Sequence, residues 1–564
     1  MKPSLLVNEA SFSLETNTLP EALERAAAAG AHLWLAAKDK EAVELPMRDL
    51  LERASRVAHH LVSLGMKPGE RAVVMLPTSE GWLAGFFGTL LAGGVTVPLG
   101  PNLSFGGMDR YASTVRELMR AAGARFLLGN DAIEPYLPKL RAHGTSLEHF
   151  VRADLARELP VGEVTLPSPS PEATAVIQYT SGTTGTPKGV MLSHRALLAN
   201  AYMIGQRSGM SPADVGVSWL PLFHDMGLVG TLLTSLYWHY PLLLMPVESF
   251  LLQPRRWITW MSKKRATLTV APNFAYQFAV DRVAERHLAG LDLSAWRKAF
   301  NGSEAVRPGT LRAFTERFGS LGFEESAFEP VYGMAENALA ATFPEPGRPW
   351  HTAEHAGREL CSVGTPLSGV SVAVVDENGR PAAEGAAGSI RLSSPSLMDG
   401  YFENEAATRE VLQHGWLDTG DIGFVRDGEL FVTGRRKELI IKRGRNYTPD
   451  ELENVVLQVT RGRVLRAAAF GAPDEREGTE QIVIVLETRS NTAHERELLS
   501  RDVSGALVAA VGVGPDVTVV VPPHTIERTT SGKLRRAALR VRFLEGKLPQ
   551  HEQPGTTASP EELA

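Results

Sequence analysis

The chain has 564 residues, enough for roughly three to four domain-sized units or for one large unit and a smaller one. Its 43% hydrophobic and 22% charged residues exclude a disordered or fibrous chain, and a net charge of −6 excludes a general pull toward nucleic acid or anionic membrane. A single cysteine, Cys361, excludes an intramolecular disulfide framework and fits a reducing compartment, so the expected location is cytoplasmic.

The first segment, MKPSLLVNEASFSLETN, lacks an apolar core and a small-residue cleavage site, which predicts no secretory leader. Helical periodicity covers Leu19–Gly30 and Met47–Gly65. ERAVVMLP then gives a short apolar run, GWLAGFFGTLLAGG a helix ended by glycines, and VTVPLGP a strand; a helix over Met108–Ala122 leads to the strand ARFLLGN. This alternation predicts an α/β fold with a parallel sheet covered on both faces. Prolines at 167, 169 and 171 mark a loop, ATAVIQYT reads as the next strand, and SHRALLANAYMIGQ as a helix.

Between that strand and helix lies Tyr179–His194, YTSGTTGTPKGVMLSH. Ser181, Thr183, Thr184 and Thr186 offer hydroxyls, Gly182 and Gly185 let backbone N–H groups approach an anion, and Lys188 adds charge: a polyphosphate cradle. Lys188 stands between Pro187 and Gly189, so the spacing is not that of a Walker A loop. In doubly wound sheets ligands sit beyond the carboxyl ends of strands, where this loop falls.

Further along, WLPLFHDMGLVG interrupts an apolar run with His224 and Asp225, either a satisfied polar pair or groups facing a site. The uncharged run Met226–Val247 is long enough for a bilayer, but its glycines, His239 and Pro241 predict a buried helix followed by a buried strand, with no membrane span. APNFAYQFAVDRV is apolar and aromatic, compatible with a pocket wall or with plain core. FNGSE (Phe300–Glu304) and VYGMAEN (Val331–Asn337) each set a glycine near an acidic residue at an expected strand end. Glu336 suits Mg2+, which takes one or two carboxylates plus phosphate oxygens, and Tyr332 offers a flat face to a purine. His351 to His355 spells H-x-x-E-H, but a zinc site there needs a helix and a further ligand, and PEPGRPW before it signals neither.

A second charged, glycine-rich concentration begins at GWLDTGD, where Asp421 is read in a tight turn facing ribose hydroxyls. Arg435, Arg436, Lys437, Lys442, Arg443 and Arg445 form a basic cluster, either a solvated face or polyphosphate contacts. A boundary is expected here. Beyond it come a helix opened by Thr448 and Pro449, the strand QIVIVLE, the helix ERELLSRDVSGALVAAVG, the strand VTVVVPP and ERTTSGKLRRAALR, about a hundred residues in all. The tail from His551 is polar and expected to be disordered.

The ordered series of cradle, acidic site, TGD, GR-x-K and a C-terminal SGK resembles the adenylate-forming superfamily over nearly the whole chain. WLPLFHDMGLVG, PRRWITWMSKKRATLTVAPNFAY and GRRKELIIKRGRNYTPDELE are most similar to fatty acyl-AMP ligases, which load fatty acids onto acyl carrier proteins. The resemblance implies a large N-terminal domain of sheets covered by helices (1–433), a small mobile α+β domain (434–550) hinged near Lys437, and a tail (551–564). It implies that Thr180, Ser181, Gly182, Thr183, Thr184, Gly185 and Lys188 embrace the phosphates of ATP, with Thr184 and Glu336 at Mg2+. Gly302, Ser303, Glu304, Tyr332, Gly333 and Met334 would border adenine, Asp421 and Arg435 would hold ribose, and Lys533 would reach the reacting carboxylate and α-phosphate. His224, Asp225, Met226, Gly227, Asn273 and Tyr276 would face the fatty acid, His224 and Lys188 joining Lys533 in catalysis.

Only 27 residues separate Glu336 from Gly364, whereas fatty acyl-AMP ligases carry an insertion in that region. The spacing matches acyl-CoA synthetases, so carrier protein and coenzyme A both stand as acceptors, with family analogy favouring the carrier. An amino-acid adenylation domain is a further alternative, through Asp225, and a nucleotide-binding module without catalysis is another; the joint presence of Glu336, Asp421, Arg435 and Lys533 opposes the second.

Overall fold

The structure, a computed structural model, describes residues 3–36, 41–101, 108–142, 144–161, 164–180, 187–442, 445–474, 479–490, 492–528 and 534–549. Strand β1 (Thr174–Thr180) and strand β2 (Lys188–Ser193) form an antiparallel hairpin, and Ser193 caps helix α1 (His194–Ser208) by accepting from Ala196 N. The hairpin is one flank of a seven-stranded sheet ordered Gly400–Tyr401, β2, β1, Val95–Pro98, Arg71–Val74, Phe126–Gly129, His149–Arg152. From β1 onward the pairs are parallel, as the alternating pattern predicts.

β2 corrects the sequence reading, in which the helix followed the cradle directly. Val190 and Leu192 are buried while Met191 is half-buried, the two-residue period of a strand. Gly189 makes room for it, since a Cβ there would come 2.8 Å from Ile177 Cγ2.

A second seven-stranded sheet contains β3 (Leu268–Pro272), followed by helix α2 (Asn273–Arg282), and β4 (Lys298–Gly302). Its order is Phe328–Pro330, β4, β3, Gly216–Ser218, Leu242–Leu244, His32–Leu35, Val43–Pro46. A core joins the two sheets, with Trp82, Phe86, Leu197, Leu236, Trp257 and Phe314 among its fully buried residues. The uncharged run resolves into Asp225–Gly227, a π-helical stretch Leu228–Leu233, helix Thr234–Trp238 and strand Leu242–Leu244. No helix among the described residues is long and apolar enough to cross a membrane.

A third sheet contains β5 (Trp416–Arg426) and β6 (Glu429–Arg435). Asp421 therefore sits inside a long strand and not in a tight turn. The kink that resembled a turn is Gly420, at φ +73°, followed by a register shift at Ile422/Gly423. His351–His355 is likewise no helix: Thr352–His355 pairs with Arg358–Cys361 as a β-hairpin. His351 Nε2 lies 3.0 Å from Glu429 Oε2, and His355 stacks on Phe424.

The last elements are helix α3 (Pro449–Thr460), a sheet of Arg466–Asp474, Thr479–Glu487 and Val517–Val521, helix Ala493–Val511, and helix α4 (Arg536–Leu544). The first of these strands escapes a reading by composition, because RAAAFGAPD is alanine-rich. It is a strand because its alternate residues feed two cores: Ala467 and Ala469 meet Ile482 and Ile484, whereas Ala468, Phe470 and Ala472 meet Val483 and Val485. Described core clusters divide between Val432 and Ile440, with none drawing residues from both sides.

Helix α1 carries Gly205 against Trp238, whose Nε1 donates to Ala201 O at 3.1 Å. A Cβ at Gly205 would overlap that indole. Replacing glycine by alanine in a helix gains about 1 kcal/mol of propensity, but overpacking costs about 1–3 kcal/mol. Gly205→Ala is therefore expected to lower stability, read as a lower midpoint in urea or thermal unfolding.

Candidate active site

Of the residues singled out by sequence, Thr180 and Gly302 end strands, Lys188 opens one and Asp421 lies within one. Thr180 ends β1 and pairs with Lys188 at the base of the hairpin. Ser181, Gly182, Thr183, Thr184 and Gly185 lie outside the described residues, as do Thr186 and Lys533. Lys188 Nζ sits 4.5 Å from the centroid of the Tyr401 ring, a cation over an aromatic face. The Tyr401 hydroxyl donates to Glu336 Oε1 at 2.8 Å. One side chain that sequence reasoning passed over thus touches both the loop lysine and the candidate metal carboxylate. Burial, reinforced by Glu336, pushes the Tyr401 phenol up.

Tyr401 reaches this corner because Gly400–Tyr401 pairs with β2, Tyr401 opposite Val190. Glu336 occupies a turn, Ala335–Asn337, whose backbone is fixed from three directions. Met398 N donates to Glu336 O at 2.8 Å. Asn200 of α1, fully buried, donates through Nδ2 to Asn337 O (3.1 Å), Ala340 O (2.9 Å) and Ser396 Oγ (3.0 Å), and accepts from Ala340 N (3.0 Å). Gly333 is required beside it, since a Cβ would overlap Leu339 O, the acceptor for Met334 N.

The second corner is built on Asp421, 4% exposed. Its Oδ2 accepts from the Tyr332 hydroxyl at 2.7 Å and its Oδ1 lies 3.1 Å from Arg435 Nε, its register partner across β5 and β6. Asp421 pushes the Arg435 guanidinium up. Burial holds the Tyr332 phenol well above its usual range, with Asp421 adding to the effect, which keeps it a donor. The carboxylate is thereby oriented with its partners already in place.

The third part follows β4. Gly302 packs so closely that a Cβ would lie 2.8 Å from Val331 Cγ2, and Ser303 adopts φ +69°. Ser303 Oγ is buried with no hydrogen-bond partner, an orphaned polar atom suited to a ligand group. Glu304 turns the other way: its Oε1 accepts from Phe274 N at 2.5 Å and caps α2. Burial pushes its carboxyl up.

The acid-binding residues proposed from sequence divide. His224 Nδ1 lies 2.7 Å from Asp225 Oδ1, which also accepts from Met226 N at 2.7 Å, so these two make a half-buried polar pair at a helix start. Met226 is buried, and a Cβ at Gly227 would overlap Pro221 O. Asn273 and Tyr276 point into the core instead of an open wall. Tyr276 is fully buried between Trp257, Phe314 and Phe328, with its hydroxyl donating to Phe300 O at 2.9 Å. Asn273 is engaged by Thr310, Asn301 and Arg307 N. The aromatic spacing that suggested a pocket is core packing.

Among the described residues no three His, Cys, Asp or Glu side chains gather where they could hold a metal by themselves. The donor set at Glu336 nonetheless fits Mg2+ held together with a nucleotide, because one carboxylate suffices when phosphate oxygens complete the shell. Glu336 Oε2 is the oxygen that Tyr401 leaves over.

The family described as AMP-binding enzyme matches residues 23–402. A medium-chain-fatty-acid–[acyl-carrier-protein] ligase of Moorena producens, JamA, is 31% identical over 93% of this chain and 93% of its own length. The long-chain-fatty-acid–AMP ligase FadD26 of Mycobacterium marinum is 33% identical over 87% of this chain and 90% of its own. A solved structure from work on fatty acyl-adenylate ligases of E. coli and L. pneumophila superposes with a TM-score of 0.87 at 33% identity, covering 94% of this chain and 98% of that one.

Tyr401→Phe keeps the ring under Lys188 and removes one hydrogen bond to a charged carboxylate, worth about 1.5–3 kcal/mol. The ATP concentration giving half-maximal pyrophosphate exchange is expected to rise about tenfold, with a slightly lowered melting temperature. Asp421→Ala strands Tyr332 and Arg435 together and is expected to lower kcat/KM for ATP by about 10².

Proposed function

The chain belongs to the AMP-binding enzyme family, and from that premise we propose that it activates a fatty acid as acyl-adenylate and passes the acyl group to the phosphopantetheine thiol of an acyl carrier protein. The observation that carries this reading is the pre-assembled pair of corners. Asp421, held by Tyr332 and Arg435, suits a ribose; Glu336, Tyr401 and Lys188 suit a polyphosphate. The fatty acid and the carrier come from the names of FadD26 and JamA.

In the first step a carboxylate oxygen attacks the α-phosphorus of ATP, the bond to the bridging oxygen breaks, and pyrophosphate leaves. Two anions must approach, so the chain's contribution is fixed positive charge. Lys188 lies at the base of the loop that would embrace the β and γ phosphates, and Lys533 of the SGK motif would meet the carboxylate and α-phosphate. Mg2+, when bound with the nucleotide at Glu336, supplies charge neutralisation of the phosphates. Asp421 orients the ribose, and Ser303 Oγ gives the adenine side an unused polar group. In the second step a thiolate attacks the acyl carbonyl and AMP departs; no covalent bond to the protein forms.

Both steps at one centre require Lys533 near the reactants first and out of the thiol's path afterwards. Residues 434–550 are the unit that would move, hinged near Lys437; support comes from the core clusters, which divide between Val432 and Ile440. The reading locates this chemistry in the cytoplasm, a reducing compartment that a single cysteine, Cys361, suits. A second reading, transfer to coenzyme A, is favoured by the short stretch between Glu336 and Gly364, folded as the compact hairpin Thr352–Cys361.

Incubating the enzyme with ATP, labelled fatty acids of graded length and either coenzyme A or a phosphopantetheinylated carrier protein tests the acceptor. Carrier loading is expected to be the faster; rapid acyl-CoA formation selects the second reading. Lys533→Ala is expected to slow pyrophosphate exchange by about 10²–10³. Absence of exchange with every carboxylic acid tried, in the unmodified enzyme, would falsify the activity.

A further inference from the structure

The backbone just after Glu336 is strained. Ala338 has φ +55° and ψ −52°, and Leu339 N donates across it to Asn337 O at 2.5 Å. This is a γ-turn of the rare hand, a shape that a residue with a Cβ keeps only when its surroundings impose it. The Ala338 methyl is buried, so the surroundings are close on every side. Met334 N donates to Leu339 O at 2.7 Å and Asn337 N to Met334 O at 3.0 Å, which closes residues 334–339 into one compact loop around Glu336.

The constraint comes from outside the loop. Asn200 of α1 spends its whole amide there: Nδ2 donates to Asn337 O, Ala340 O and Ser396 Oγ, and Oδ1 accepts from Ala340 N. Ser396 Oγ donates in turn to Asn337 Oδ1 at 3.1 Å, and Asn337 Nδ2 donates to Ala340 O at 2.7 Å. Asn200, Asn337 and Ser396 are all fully buried, so each bond lost would leave a polar group unpaired away from water. Ser396 also leads the segment that runs past the loop to Tyr401. Along it Met398 N donates to Glu336 O at 2.8 Å, and the Tyr401 hydroxyl donates to Glu336 Oε1 at 2.8 Å. One amide therefore joins both strips of chain between which the carboxylate is set.

We propose that Asn200 is a positioning residue for the metal-bearing end of the nucleotide: with Ser396 it holds residues 334–339 in their strained shape and so aims Glu336 Oε2, the oxygen that Tyr401 leaves over. This rests on the reading of Glu336 as the Mg2+ ligand. The Asn200 amide is used up on the protein itself, so it acts only through the loop. Once it is removed, Ala338 relaxes toward negative φ and carries Glu336 with it.

ATP binding is measured by calorimetry on the full-length enzyme without fatty acid, once with Mg2+ and once with EDTA, and hydrogen exchange at the Leu339 and Ala340 amides is followed alongside. Asn200→Ala is expected to weaken Mg2+–ATP binding about tenfold, to leave metal-free ATP binding within about twofold, and to speed exchange at those amides. Glycine takes positive φ without strain, so Ala338→Gly alone should leave both affinities within about twofold and, added to Asn200→Ala, should recover most of the lost Mg2+–ATP affinity. Ser396→Ala, a smaller deletion, should show the same pattern at about threefold, and it carries the comparison if Asn200→Ala does not fold. Equal weakening with and without Mg2+, unchanged binding, or no recovery from Ala338→Gly overturns the proposal and leaves the reading of Glu336 intact. If Glu336→Gln leaves the Mg2+ dependence of ATP binding unchanged, that reading falls instead.

Discussion

The buried amide of Asn200 is the constraint on which the site depends. It sits in the helix that leaves the cradle hairpin, yet its hydrogen bonds are spent on the backbone at Asn337 and Ala340 and on Ser396. An amide buried without partners would cost about 1–3 kcal/mol per group, so the arrangement holds only while all three segments stay together. Through it the first sheet, which supplies Lys188, is locked to the turn that supplies Glu336. Tyr401 completes the lock from the far side, its backbone paired with β2 and its hydroxyl on Glu336.

Asp421 obeys the same logic with charge. A carboxylate that is 4% exposed is tolerated because a guanidinium and a phenol meet its two oxygens. Those partners come from the adjacent strand β6 and from Tyr332–Gly333 in a small three-stranded sheet, so strand pairing holds the corner. The C-terminal elements differ: they have cores of their own and touch the rest through polar and cation–aromatic contacts such as Arg358–Thr448 and Arg528–Phe274. Rigid corners and a separately packed unit are what the two successive reactions proposed for this centre need.

Much of this is legible in the sequence. The alternation of strands and helices, the strand feeding the cradle and the helix at Pro449 appear where periodicity and capping put them. Asp421 and Arg435 meet across adjacent strands, while Glu336 stands in the other corner with Tyr401. The misses have physical causes. The strand Lys188–Ser193 is short and starts with a lysine and a glycine; RAAAFGAPD looks helical by propensity but serves two cores; TGD looks like a turn because glycine permits a kink that a long strand can absorb. Tyr276 and Asn273 sit in a stretch whose aromatic content fits a pocket and a core equally well, and packing against Trp257 and Phe314 decides for the core.

By itself the sequence determined the α/β class and pointed to the charged residues of the candidate site, because those follow from residue types and their spacing along the chain. Tertiary structure alone decided which of them meet. Tyr401 has no spacing relation to Glu336 or Lys188, nor Asn200 to Asn337, nor Arg528 to Phe274. Each pair is brought together by strand pairing or core packing across tens to hundreds of positions, and hydrogen bonds and cation–aromatic contacts act over a few ångströms, a distance that position in the chain does not encode.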